Sequence, residues 1–189
     1  MTIDQRDSRA GADRVPDLLA SLRQARPLVG FERTVGDEVQ ALFDDPENLV
    51  AAVRTVVREG GWHVGIGIGE VEAVPETVRE GRGPAFVAAR QAVDAAKKRP
   101  ESVAMRAAQE STEICAAEAL CRLVASIVAE RTAPQREVVE AFEQGVSGRE
   151  VAASLSVTPQ AVSQRRTAAR LDLEMSGWQA IAALLGEVR

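Results

Sequence analysis

The segment from Thr158 to Leu171 carries side chains suited to contact nucleic acid. It holds three arginines and no acidic residue, in a chain whose formal net charge is −5. Gln and Ser side chains form hydrogen bonds with base edges, and Arg side chains reach phosphates or guanine. The segment therefore predicts a DNA contact surface, and its residues are Thr158, Pro159, Gln160, Ser163, Gln164, Arg165, Arg166, Thr167 and Arg170.

Two predicted helix starts place this surface on the last helix of a group of three. Ser147 is a suitable N-cap, and Glu150 at the third helical position completes a capping box. Thr158 and Pro159 suit the N-cap and first position of the next helix, which is predicted to run to about Leu171. A helix from Gln135 to Gln144 precedes both. This spacing predicts a helix-turn-helix.

The contact between the second and third of these helices is also visible in the sequence. A small residue, Ala152, is predicted where the two helices touch, and Leu155, Val157 and Val162 are predicted to fill the junction. Ser156 stands in the turn where glycine is usual. The alternative interpretation is a helical hairpin that serves only for packing.

The first half of the chain is predicted to be built around a β-hairpin. Gly36 and Asp37 separate two runs of alternating apolar residues, which is typical of a hairpin with Gly-Asp at the turn. Glycine allows the tight turn, and Asp37 is expected to be exposed at its tip. The patterns up to Met105 follow the order β-α-β-β-α-β-α-β, which predicts a ferredoxin-like split βαβ sheet.

A glycine-rich strand lies in the same half. Within Trp62 to Gly69, the glycines Gly65, Gly67 and Gly69 share one face. Because strand interiors normally avoid glycine, the pattern predicts that a helix or a ligand packs against bare backbone there. The predicted first strand spans Met1 to Gln5, and residues 7–9 are predicted to cap the first helix.

The chain up to about residue 105 resembles the SatD family and, more distantly, the catalytic domains of class III nucleotidyl cyclases and diguanylate cyclases. The matching stretches are Ile3-Asp4 with Ser8-Arg9, Val35 to Gln40, Gly65 to Glu70, and Gly83 to Phe86 leading into Ala88 to Arg90. The C-terminal part resembles the helix-turn-helix of sigma-factor-like and MarR-like regulators.

The resemblance implies a ligand site as well as a fold. In the cyclases two Asp residues, which match Asp4 and Asp37, hold metal ions that align a triphosphate; this implies Mg²⁺ with a nucleotide. Arg90 matches an Arg of the following helix, but Phe86 stands where the cyclases place an Asn. The domain is therefore predicted to bind a ligand or to dimerise, and not to catalyse.

The same residues have simpler interpretations that stay open. Asp37 is also a common turn residue, because Asp hydrogen-bonds its own backbone there. Arg90 serves either as a phosphate contact or as an ion pair on the helix surface, and Glu38 is a candidate partner for an Arg. Arg82, in a loop rich in glycine and charge, is a second candidate phosphate contact.

A long helix is predicted from Thr112 to Ala129, with an apolar stripe wider than one contact face needs. It is therefore expected to be buried on two sides, between domains or between subunits.

A last helix is predicted to carry another apolar stripe, which is either part of the core or a dimer seam. The stripe consists of Trp178, Ile181, Leu185 and Val188. The predicted division is residues 1–108 as the cyclase-like domain, 109–132 as a connecting helix, and 133–189 as the DNA-binding domain with a C-terminal dimerisation helix.

The amino-acid composition argues against several kinds of binding site and against a membrane-spanning protein. Tyr is absent and aromatic residues make up 3% of the chain, which disfavours base stacking as a binding mode. The single His excludes the usual zinc sites. No apolar run approaches the roughly 18 residues that span a membrane, and the charged N-terminus lacks a signal-peptide core, so we expect a cytoplasmic protein.

The predicted function is a DNA-binding transcriptional regulator that binds double-stranded DNA as a homodimer. Its cyclase-like domain would sense a ligand or assemble the dimer. One alternative is a nucleotide-processing enzyme, a nucleotidyl cyclase or nucleotide hydrolase, that carries a DNA-binding module. Another is a protein-interaction module whose C-terminal helices bind a partner such as RNA polymerase.

Overall fold

The chain has an α+β fold with a five-stranded mixed sheet and eight α-helices in the described part. The computed structural model describes residues 1–8, 11–109 and 111–188, so Arg9 of the predicted first cap lies outside it. The strands are β1 (Thr2–Gln5), β2 (Val29–Arg33), β3 (Glu38–Leu42), β4 (Trp62–Ile68) and β5 (Val103–Ala107). The helices are α1 (Val15–Ser21), α2 (Pro46–Glu59), α3 (Pro84–Ala96), α4 (Thr112–Ala129), α5 (Ala133–Glu143), α6 (Gly148–Ser154), α7 (Pro159–Ala168) and α8 (Leu171–Gly186).

The sheet has the strand order β2-β3-β1-β4-β5. The central strand β1 pairs antiparallel with β3 and β4, whereas β4 and β5 run parallel. Strands β2 and β3 form the predicted hairpin, and Gly36 in its turn has φ +63°. This left-handed conformation is the reason that the turn takes glycine. Asp37 is partly buried, so the prediction of an exposed tip carboxylate is wrong.

The first helix begins later than predicted. Asp7 has φ +55° and lies in a turn that precedes the helix. Asp13 instead accepts a 3.1 Å hydrogen bond from the backbone N–H of Val15, at the start of α1. The prediction of a cap at residues 7–9 was wrong, because the helix starts at Val15 and Asp13 satisfies one of the free backbone donors there.

The main core lies on one face of the sheet. Ile3, Val39, Val64 and Ile66 project from the strands and are almost completely buried. Helices α2, α4 and α8 supply the opposing apolar side chains, among them Val53. No helix in the described ranges combines the length and apolarity needed to cross a membrane.

Helix α3 covers the other face of the sheet, directly on the glycine positions. A Cβ atom added to Gly67 would lie 2.1 Å from the backbone nitrogen of Ala89, and one added to Gly65 would lie 2.2 Å from that of Val93. Real Cβ atoms do not approach other atoms so closely. The glycine face therefore allows a helix backbone to contact a strand backbone, which is the helix alternative that the sequence predicted.

The last helix, α8, packs within the same chain. Trp178, Ile181 and Leu185 are at most 8% exposed and belong to the main core with residues of α2 and α4. The prediction of a C-terminal dimerisation helix is wrong for this stripe, because the chain's own helices already bury it. The predicted span of α4, Thr112 to Ala129, is confirmed, and its N-cap is Ser111.

Candidate nucleic-acid interface

Helices α5, α6 and α7 form a small unit with its own core. Val138, Val151, Ala152 and Val162 are almost completely buried within it. The predicted junction residues Leu155 and Val157 pack against these four, so this part of the prediction is confirmed. The capping box at α6 is also present: Glu150 accepts from the backbone N–H of Ser147, and Ser147 Oγ accepts from that of Glu150. These contacts fix α6 and α7 relative to each other.

The turn between α6 and α7 contains Ser156 in a left-handed conformation, with φ +52°. The backbone N–H of Val157 then donates a 3.0 Å hydrogen bond to the carbonyl oxygen of Ala152. A glycine would adopt this conformation without the steric cost that a Cβ atom brings.

We expect Ser156→Gly to raise the free energy of unfolding by up to about 1.5 kcal/mol. The left-handed conformation costs an L-residue about 1–2 kcal/mol, and the greater chain entropy of glycine offsets about 0.5–1 kcal/mol of the gain. Urea denaturation measures the difference. The control Ser163→Gly, on the exposed face of α7, should instead lower stability by roughly 0.5 kcal/mol. A loss of stability in Ser156→Gly would contradict this account of the turn.

The outer face of α7 is polar and open to solvent. Thr158 Oγ1 accepts a 3.1 Å hydrogen bond from the backbone N–H of Ala161 and so caps the helix. The exposed members of the predicted surface are Thr158, Pro159, Gln160, Ser163, Gln164, Thr167 and Arg170, whereas Arg165 and Arg166 are half-buried. The helix ends at Ala168, not near Leu171, because Arg170 has φ +52° and α8 begins after it.

The three arginines of the predicted surface have different surroundings. Arg166 lies over the ring of Phe142, 5.0 Å from its centroid, and forms an ion pair with Asp172. Arg170 lies 3.9 Å from a carboxylate oxygen of Glu130. Arg165 forms no ion pair within the described residues. Arg165 is therefore the arginine of this surface whose charge is most available to a partner.

A buried charge cluster lies beneath the α5–α7 unit, and no local sequence pattern predicted it. Arg131, at the end of α4, donates from Nε and Nη2 to the carbonyl oxygen of Ala169, at 2.9 and 2.7 Å. Its Nη2 also lies 2.6 Å from Glu174 on α8. Glu174 is completely buried and accepts hydrogen bonds from Arg58 at 2.7 Å and Trp178 at 2.9 Å. The cluster thus joins α2, α4 and α8 to the end of α7.

The pKa of Glu174 reflects these partners. Burial alone raises the pKa of a carboxyl group, since it disfavours the charged form. The hydrogen bonds from Arg58 and Trp178 and the positive charge of Arg58 outweigh burial and hold the pKa of Glu174 below its usual value. Glu174 is therefore a carboxylate in the folded protein at neutral pH.

The predicted metal ligands lie at one end of the sheet, in different surroundings. Asp4 is opposite Glu38 in the β1–β3 ladder, and its carboxylate lies 2.8 Å from Nζ of Lys97 at the end of α3. Asp37 has a buried Oδ2 that finds no hydrogen-bond partner among the described residues. Among the described residues, no group of three or more His, Cys, Asp or Glu side chains is arranged to hold a metal ion. Asp37 thus has an oxygen that suits a cation, whereas Asp4 already has one in Lys97.

Arg90 of α3 pairs with Glu38, as one of the two interpretations of Arg90 predicted. Its Nη1 lies 2.6 Å from Oε2 of Glu38, and about half of the Arg90 side chain stays exposed. Thr34 and Gln40 also donate to Glu38, at 2.8 and 2.9 Å. Glu38 is therefore a satisfied structural carboxylate that ties the hairpin to α3.

An open groove of about 670 Å³ adjoins this pair, between the hairpin and α3. Arg79 and Arg90 line the groove, and Phe86 forms part of its wall. Arg82 is exposed but does not line the groove, so the structure does not bring the two predicted phosphate contacts together in it.

Comparison with models of known protein families, with curated proteins and with solved structures gave no match to this chain.

Proposed function

We propose that the chain is a DNA-binding transcriptional regulator in which α5–α7 act as a helix-turn-helix unit. The observation that carries the proposal is the outer face of α7, where no acidic residue interrupts exposed Gln160, Ser163, Gln164 and Thr167. Arg165 stands beside them and forms no ion pair with any residue that the structure describes. Such a face suits the major groove, where amide and hydroxyl groups contact base edges and arginine contacts phosphate or guanine.

The geometry around α7 supports the same proposal. The core beneath it and the capped start of the helix hold the polar face in one orientation. Arg149, exposed at the start of α6, adds a cation to the side of the unit where a helix-turn-helix approaches the DNA backbone. Arg149 lies outside the third helix, so the pattern of that helix did not predict it.

The sheet half is proposed to be ferredoxin-like and to act as a sensor or scaffold without catalytic turnover. Its first four strands have the order β2-β3-β1-β4 with antiparallel neighbours, and this order supports the proposed split βαβ arrangement. Lys97 beside Asp4, and Phe86 in the groove, argue against a metal-bridged phosphate reaction there. A nucleotide with Mg²⁺ near Asp37 stays a proposed ligand.

The proposed regulator acts in the cytoplasm as a homodimer. A single helix-turn-helix gives a small footprint on DNA, and two copies related by symmetry recognise two half-sites. Because α8 is occupied within the chain, the proposed interface between copies lies on another surface.

The test uses a labelled random-sequence DNA duplex and the full chain, with binding followed by fluorescence anisotropy over a range of salt concentrations. Arg165→Ala is expected to weaken binding by about 1–3 kcal/mol and to change the slope of log affinity against log salt by about one. The control Arg23→Ala removes one exposed arginine far along the chain from α7 and should leave both quantities unchanged. An equal loss in the two variants would overturn the proposal. Absence of binding by the unmodified chain would favour a protein partner instead.

A further inference from the structure

We infer that two copies of the chain associate through the outer side of the α4–α8 helix pair, which we call the seam face. Its apolar residues are Leu120, Leu123 and Ile127 of α4 and Leu173, Ala180 and Leu184 of α8. This surface differs from the buried stripe of α8, because Trp178 and Ile181 belong to the main core. The role of the dimer rests on the proposed function, since a regulator that reads two half-sites needs a second copy.

Helices α4 and α8 lie side by side in close contact. A Cβ atom added to Gly177 of α8 would lie 2.5 Å from Cγ2 of Val124 on α4. Leu120 and Ile127 are four positions before and three positions after Val124, so helical periodicity places them on its side of α4. The first two α8 residues of the seam face have the same spacing around Gly177. The seam face therefore follows the contact between the two helices.

The seam face is open to solvent. Leu123 is 62% exposed and Leu173 is 58% exposed, more than any other leucine that the structure describes. Ala180 is also exposed, and the other three residues of the seam face are half-buried. Single exposed apolar side chains are ordinary, but a continuous patch of them marks a surface that contacts another molecule.

The seam face carries no charge, which suits a second copy as the partner. Within residues 119–129, Arg122 is the only charged residue, and it pairs with Glu101 at 3.2 Å, next to β5 and away from α8. Within residues 173–186, Glu174 is the only charged residue, and it is buried. A twofold axis brings equivalent residues of two copies close together, so like charges near the axis would repel. The seam face avoids this repulsion.

The size of the seam face matches a small dimer interface. Helix α8 has 16 residues and so spans about 24 Å, and two adjacent helices are about 20 Å wide. These dimensions give roughly 500 Å² per copy and roughly 1,000 Å² for both, which is the lower limit for a specific interface. We therefore expect a dimer that dissociates on dilution.

The α5–α7 unit joins the same end of both helices. Helix α4 leads into the unit and α8 follows it, and Arg131 at the end of α4 pairs with Glu174 near the start of α8. A twofold axis parallel to the two helices would place both α5–α7 units at one end of the dimer. The two copies of α7 would then face the same side, as binding to one duplex requires.

The experiment measures the molar mass of the full chain by sedimentation equilibrium over a range of concentrations. The mass is expected to approach that of two chains as the concentration rises. Leu123→Asp puts a carboxylate at the middle of the seam face of each copy, and Leu173→Asp does so on α8. We expect each variant to raise the dimer dissociation constant at least about tenfold.

Val87→Asp is the matched control. Val87 lies on α3, outside the seam face, and is 59% exposed. It receives the same charge at a similar exposure, so this variant should associate like the unmodified chain. Circular dichroism checks that all three variants keep the fold, as expected for substitutions at exposed positions.

Two outcomes would overturn the seam-face dimer. One is an unmodified chain that stays monomeric at every concentration, which would assign the surface to a different protein. The other is a Leu123→Asp variant that associates as tightly as Val87→Asp. DNA binding is measured separately by anisotropy. A seam-face dimer that binds no DNA would refute only the proposed function, whereas a monomer that binds DNA would refute only the dimer.

Discussion

Replacing Glu174 by Ala is expected to lower the free energy of unfolding by about 3–5 kcal/mol. Glu174 is completely buried and lies between Arg58 and Arg131, each of which has little access to water. Removing the carboxylate leaves two guanidinium groups without their shared partner in the interior. It also removes the acceptor for Trp178 Nε1. Urea denaturation followed by tryptophan fluorescence or circular dichroism measures the loss.

The matched control for this variant is Asp172→Ala on the same helix. The side chain of Asp172 is 82% exposed and pairs with Arg166 at the surface, where an ion pair contributes about 0–1 kcal/mol. Glu174→Gln separates charge from shape, because it keeps the side-chain length and loses the negative charge. Similar stability of the unmodified chain and Glu174→Ala would show that the cluster does not stabilise the fold.

The stabilisation of the fold by Glu174 should decrease as the pH falls. Its pKa is lowered in the folded protein by the bonds and charge that outweigh burial. A carboxyl group with a lowered folded pKa stabilises the fold fully above its unfolded pKa, about 4.3, and loses this contribution as the pH falls through the folded pKa. The stability difference between the unmodified chain and Glu174→Gln should therefore be constant near neutral pH and shrink below about pH 4.

Gly67→Ala is expected to lower the free energy of unfolding by about 3 kcal/mol or more. The added Cβ would lie 2.1 Å from the backbone nitrogen of Ala89 and 2.2 Å from the carbonyl oxygen of Ala85. Both atoms belong to the backbone of α3, so no side chain can rotate away, and α3 has to move off the sheet. Urea denaturation of the variant gives the magnitude.

Gly30→Ala is the control for the same chemical change in a strand. Apart from Gly30 and its two chain neighbours, no heavy atom of the described residues lies within 4 Å of a Cβ placed on Gly30, which is in the edge strand β2. We expect a change within about 0.5 kcal/mol for this variant. If Gly67→Ala were equally mild, the close contact between α3 and β4 would not be a feature of the protein in solution.

Local signals in the sequence predicted most elements of the fold. Helix α4 begins and ends where its apolar stripe indicates, and the α6–α7 turn follows from the caps at Ser147 and Thr158. These features depend on residues within one or two turns of each other. The glycines of β4 also indicated a close backbone contact, which a helix makes.

Contacts between distant parts of the chain could not be predicted in the same way. Glu174 meets Arg58 across 116 positions, and no local pattern distinguishes these residues from ordinary surface charges. For the same reason the stripe of Trp178 and Ile181 fits a core and a dimer seam equally well in the sequence. The tertiary arrangement of α2, α4 and α8 decides between them.

The bond from Arg131 to Ala169 brings together two points that are 38 positions apart in the chain. The chain leaves the sheet half at the end of α4 and returns to it at the start of α8, so helices α5–α7 are an insertion with neighbouring entry and exit points. A module held at both of its ends cannot separate from the main core in the way that a terminal domain on a linker can. The ion pair between Glu143 of α5 and Arg54 of α2 adds a further attachment away from these ends.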